Sequence, residues 1–258
     1  MNAKEICLPF EPEEYARKVA ATRLAMAEAG IEVLLATGSE NVWVLSGFRT
    51  GTAHAFAALG VPDGTDPPAV LAEALAAHGF GAARLGIDRE GWFFTAAMQD
   101  RMKAGLPGAR FLEAPGLVER IRTIKSAPEI AVLRAVGAIT ATSLRAGIDL
   151  LEAGVTDREI GAVMTATAIR EGGEPMPQGP FVTFGPRSFR AHTSWTGDAI
   201  MRDAIDRAGC GTEFVVRAAY GIGLSFGPTW GEDRLMALRP DDRRIVEPGM
   251  CFHLVPAL

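Results

Sequence analysis

Cysteine is scarce in this 258-residue chain: Cys7, Cys210 and Cys251 are odd in number and far apart. That spacing excludes a disulfide framework and a zinc site of the CxxC kind, and a reducing cytoplasm is expected. Basic charge is in deficit, with 26 Lys and Arg against 31 Asp and Glu and a net charge of -5. Neither nucleic acid nor an anionic membrane surface is expected as the main partner. No apolar run approaches the roughly 18 residues of a membrane span, and the N-terminal MNAKEICLPFEPEEYARK has glutamates where a signal peptide needs its apolar stretch. Export and anchoring are therefore not expected. Internal repeats and low-complexity tracts are absent. So is HExxH, and the four histidines, His54, His78, His192 and His253, are dispersed. No cluster of metal ligands is legible from spacing.

What remains is a chain 48% apolar by count, enough to bury the core of one large domain or two smaller ones. Its first half alternates. Apolar spacing predicts a helix over Pro12 to Ala29 stopped by Gly30, a strand over Ile31 to Ala36, and a helix near Ala69 to His78. A strand at Arg84 to Ile87, a helix near Thr95 to Ala104 and a strand at Ala109 to Leu112 follow. Alternation of this kind points to an α/β layer. From Gly116 the texture changes to longer helices. "SAPEI" (Ser126 to Ile130) and "TDREI" (Thr156 to Ile160) both carry the S/T-x-x-E capping box, in which hydroxyl and carboxylate satisfy unpaired N–H groups at a helix start. The helices they open have apolar faces expected to pack on a sheet. Beyond Pro180, strands are expected at Phe181 to Phe184, Phe214 to Val216 and Met250 to Leu254, and a domain boundary near Ala114 to Arg120.

Chemistry is densest in "GIGLSFGPTWGE" (Gly221 to Glu232). Gly221-x-Gly223-x-x-x-Gly227 has the wrong spacing for a dinucleotide loop, and Pro228 stands where a phosphate-facing helix would begin. Gly223-Leu-Ser225-Phe-Gly227 satisfies G-x-S-x-G, with Asp241 or Asp242 and His253 downstream in hydrolase order; "GPTWG" is nevertheless a poor start for the helix that must follow a nucleophile elbow. Glu232 beside Trp230 offers a cation receptor that combines charge with the indole face. His54 and His78 read as structural residues. His192 lies between Arg190 and Trp195, where a base or a satisfied loop residue are both open.

Taken in order, "SENVWVLSGF" (Ser39 to Phe48), "LVERIRTIKSAPEIAVLRAVGAIT" (Leu117 to Thr140), "GVTDREI" (Gly154 to Ile160), "RAHTSW" (Arg190 to Trp195), "YGIGL" (Tyr220 to Leu224) and "EPGMCFHLVP" (Glu247 to Pro256) resemble the creatinase, prolidase and aminopeptidase P family. The resemblance implies an α/β N-terminal domain over 1–116 followed by an α+β "pita-bread" catalytic domain over 117–258, and a homodimer. "YGIGLSFGPTWGE" with "GMCFHLVP" looks most like the ectoine hydrolase branch. The family's metallopeptidases hold two metal ions, whereas here Tyr220 stands where the motif has histidine and Val255 where it has glutamate. The segment that should carry two aspartates is missing after Gly197-Asp198. The chain is also shorter than the family after "LSGF" and at its C-terminus. These departures imply no metal and no cofactor. The implied activity is a metal-independent hydrolase cleaving a C–N bond of a small nitrogenous solute. His192 would be its base, Glu232 and Trp230 would receive the substrate cation, and Tyr220, Arg217 and His253 would line the cleft. An Xaa-Pro metallopeptidase and an inactive, abridged binding homologue are the alternatives.

Overall fold

The computed structural model describes residues 10–48, 65–88, 94–176, 178–184, 187, 193–197, 219–221, 237–238, 245 and 247–254; at 219–221, 237–238 and 253–254 it describes the backbone. They fall into two compact units. The first holds the described residues up to Lys125 together with most of the C-terminal strands, and the second begins at Ser126.

A parallel sheet centres the first unit. Strands β1 (Val33–Leu35), β2 (Arg84–Ile87) and β3 (Arg110–Glu113) lie in the order β1-β2-β3, with Leu34 opposite Gly86 and Gly86 opposite Leu112. Parallel strands need helical crossovers and bury both faces. Here α1 (Pro12–Glu28), α2 (Ser39–Ser46), α3 (Pro67–Ala77), α4 (Ala96–Gly105) and α5 (Leu117–Thr123) supply the cover. One core gathers Leu35, Leu71, Leu85, Ile87, Phe94, Met102 and Leu106. A second gathers Ile31, Trp43, Val44, Ala114, Leu117 and Val118. Side chains alternate along a strand, so Leu85 and Ile87 serve the first core while Gly86 turns to the second. A Cβ on Gly86 would stand 2.7 Å from Ile31 Cδ1, and only glycine lets that helix-to-strand joint approach.

The elements expected up to Leu112 are present with small shifts: the first helix ends at Glu28 and the strand after it shortens to Val33–Leu35. Two short helices, α2 and α5, carry no period long enough to announce them. They are joined by a polar link. Asn41 Nδ2 donates to Glu119 Oε1 at 2.9 Å, and Arg122 Nη1 donates to Asn41 Oδ1 at 2.8 Å. Two of the motif stretches therefore meet in one buried contact.

A second sheet has the order β5-β4-β6, made of β4 (Ala219–Gly221), β5 (Ala237–Leu238) and β6 (Phe252–Leu254). The chain just before β6 is fastened: Lys125 N–H donates to Gly249 O at 3.0 Å. Gly249 holds φ +94°, and a Cβ there would meet Ile124 Cγ2 at 3.1 Å and Lys125 O at 3.2 Å.

In the second unit both capping boxes form. Ser126 Oγ accepts from Glu129 N at 3.3 Å and starts α6 (Ala127–Ile148); Thr156 Oγ1 accepts from Glu159 N at 3.3 Å and starts α7 (Asp157–Arg170). The two helices pack on each other. Ser143 Oγ donates to Met164 O at 2.7 Å, and a Cβ on Gly147 would stand 2.7 Å from Met164 Cγ. This corrects the expectation that the apolar positions of α6 meet a sheet, since Val132, Val136, Leu144 and Ile148 are exposed. By length and composition alone α6 would suffice to cross a membrane, although Arg134 and Arg145 interrupt its apolar run. Residues 181–184 are not in a strand either. A strand needs a hydrogen-bonded neighbour, and apolar composition does not provide one. The strand expected at 214–216 lies outside the described residues.

Candidate functional site

Of the residues singled out by sequence, His192, Glu232, Trp230 and Arg217 lie outside the described residues, as do His54, Ser225, Asp241 and Asp242. Tyr220 lies on β4 and His253 on β6, and these strands are hydrogen-bonded neighbours. The fold thus brings two stretches more than thirty residues apart in sequence to adjoining strands. His78 has the structural role expected of it. It caps α3, and its Nδ1 meets Ala74 O at 2.8 Å, an N–H donating to a carbonyl at a helix end. Among the described residues no group of three or more His, Cys, Asp and Glu side chains is arranged to hold a metal ion.

The most elaborate polar structure among the described residues of the second unit surrounds the segment directly after His192, and it is built from the start of α7. Asp157 is the first residue of that helix and is fully buried. Its Oδ2 accepts from Thr196 N at 3.0 Å and from Arg187 Nη1 at 3.2 Å, while Oδ1 accepts from Gly197 N at 2.9 Å. Burial alone would raise the pKa of this carboxyl. The Thr196 and Gly197 N–H groups, the Arg187 guanidinium and the Arg158 N–H outweigh burial and hold it below the ordinary carboxylate value. It is therefore ionised at neutral pH.

Arg187 extends the clamp. Its Nη2 donates to Ser194 O at 2.6 Å and to Thr193 Oγ1 at 3.3 Å, and its Nη1 also donates to Thr196 Oγ1. Trp195 is fixed from the other side: its indole N–H donates to Pro180 O at 2.9 Å, and the ring lies against Gly161, one helical turn beyond Asp157. Residues four apart share a helix face, so a single face of α7 holds both the backbone and the aromatic ring of this segment. Gly197 closes it at φ +89°, the left-handed region that favours glycine.

In the sequence, Asp157 stands out only as part of a cap signal. An acid in the first turn complements the helix dipole in countless exposed helices. Nothing local distinguishes one that is buried and bonded from both sides.

No family model matches the chain. Among curated proteins, an ectoine hydrolase of Halomonas elongata is 23% identical over 373 aligned positions, covering 98% of this chain and 91% of the relative. Among solved structures, a prolidase from Thermococcus sibiricus superposes with a TM-score of 0.73 at 14% identity, covering 92% of this chain and 88% of that one. An Xaa-Pro dipeptidase from Bacillus anthracis gives 0.60 at 20% identity over 72% of this chain, which spans 58% of that structure. The fold is accordingly a mixed α and β arrangement resembling the pita-bread, creatinase and aminopeptidase architecture.

Proposed function

We propose that the chain is a hydrolase of the pita-bread superfamily that cleaves a C–N bond in a small nitrogen-containing molecule. One observation carries the reading: the likeness to the Thermococcus prolidase fold extends over nine-tenths of the chain, 92%. In this reading 1–116 is the N-terminal domain and 117–258 the catalytic domain, working as a homodimer in the cytoplasm.

Two substrate classes have support. Xaa-Pro dipeptides have the broader backing, because the solved structures of the same fold carry prolidase and dipeptidase names. Ectoine is supported by the curated relative that aligns with 98% of the chain. The donor set favours the second. Tyr220, on β4, and Val255 are poor replacements for a histidine and a glutamate ligand, so the residues do not fit a pair of metal ions, and no step is routed through one.

His192 takes a proton from water, the hydroxide adds to the substrate carbon, and the proton passes to the departing nitrogen as the C–N bond breaks. Glu232 and the Trp230 ring receive the cationic part of the substrate, with Tyr220, Arg217 and His253 around it. A turnover screen with ectoine, creatine and Xaa-Pro dipeptides, with and without chelator, tests this. Chelator-resistant ring opening of ectoine supports the solute reading. Chelator-sensitive dipeptide cleavage supports the peptidase. Binding without turnover of any of them identifies an inactive homologue and ends the proposal.

A further inference from the structure

We infer that Asp157, acting with Arg187, is the positioning residue of the proposed active site: it fixes Thr193 to Gly197, the residues that directly follow His192 in the chain. The inference rests on the reading of His192 as base, but its geometry stands apart from that reading. Every residue from Thr193 to Gly197 is tied down. Thr193, Ser194 and Thr196 are held by Arg187, Thr196 and Gly197 by Asp157, and Trp195 by Pro180 and Gly161. His192 immediately precedes this segment in the chain.

The choice of an ionic anchor matters. An apolar contact is non-directional and lets a loop slide, whereas two carboxylate oxygens facing two successive N–H groups fix the backbone in rotation as well as in place. The carboxylate is itself immobile, because it sits in the first turn of a helix whose start is set by the Thr156 and Glu159 capping box. Arg187 adds a planar fork whose donors spread over three residues of the segment. Such an arrangement suits a group that must meet water and substrate within a fraction of an ångström.

The test follows the imidazole signals of the four histidines by NMR through a pH titration, with His192 assigned from its loss in His192→Gln. Asp157→Asn and Arg187→Lys are then compared with the natural chain. Expected in both is a change in the chemical shift and titration midpoint of His192 with the His78 signal unmoved. Where a substrate is turned over, a fall of about 100-fold in kcat, larger than any change in KM, should accompany it. Should Asp157→Asn fail to fold, Arg187→Lys carries the test, since it keeps the charge and loses only the fork. A His192 signal that titrates identically in the variants overturns the inference. Full turnover by His192→Gln would instead remove His192 as base, while its NMR signal still reports whether Asp157 positions it.

Discussion

Trp195 lies so close to Gly161 that a Cβ on residue 161 would stand 2.7 Å from the indole Cε2 and 2.8 Å from Nε1. A glycine inside α7 is unfavourable by up to about 1 kcal/mol relative to alanine, so this position trades helix stability for an aromatic contact. Gly161→Ala is expected to leave the melting temperature nearly unchanged, because the helical gain offsets the crowding. The ring itself should move. Steady-state fluorescence, with Trp195→Phe as reference, checks it: an unaltered Trp195 emission would show that the ring is not seated on α7.

Among the described residues, nothing lies within 4 Å of where a Cβ on Gly137, inside α6, would stand. Gly137→Ala should therefore stabilise the chain by about 0.5–1 kcal/mol in urea unfolding, with no packing cost. A loss of stability there would mean that the helix face is covered in solution.

Asp157 makes the second unit sensitive to acid. Its folded-state pKa lies below the ordinary value of 3.8, so the native state binds the proton less readily than the unfolded chain. The stability it contributes is complete well above pH 3.8, begins to fail as the pH falls to that value, and is gone below the folded-state pKa. Asp157→Asn is expected to lower stability at neutral pH by about 2 kcal/mol and to flatten the acid limb. Circular dichroism from pH 7 down to pH 2 would measure both; parallel acid curves for the two proteins would contradict the assignment.

The capping boxes give a local prediction. Thr156→Ala and Ser126→Ala each remove an acceptor for an otherwise unpaired helix N–H and should cost about 1 kcal/mol. Thr156→Ala carries a further consequence, since fraying the start of α7 loosens Asp157. Hydrogen exchange at the Thr196 and Gly197 amides should accelerate in Thr156→Ala and not in Ser126→Ala.

In the parallel sheet, Gly86→Ala places a Cβ 2.7 Å from Cδ1 and 2.9 Å from Cγ2 of Ile31, a side chain that is itself buried. With no room to swing away, overpacking should destabilise the first unit by about 1–3 kcal/mol in denaturant unfolding. A neutral effect would imply that Ile31 is free to move.

Residues within a turn of one another were enough to reveal much of the architecture. Ser126 with Glu129 and Thr156 with Glu159 announce their helices because donor and acceptor are three positions apart. Leu85 and Ile87 mark a buried strand through the short apolar period around Gly86. The tertiary structure alone decided that α6 packs on α7, that Tyr220 and His253 lie on adjoining strands, and that Asp157 is buried under its donors. Two of its backbone donors come from 39 and 40 residues away. Local hydrogen bonds are fixed by composition and spacing, but a carboxylate becomes an anchor only when chain closure brings distant N–H groups to it and removes water.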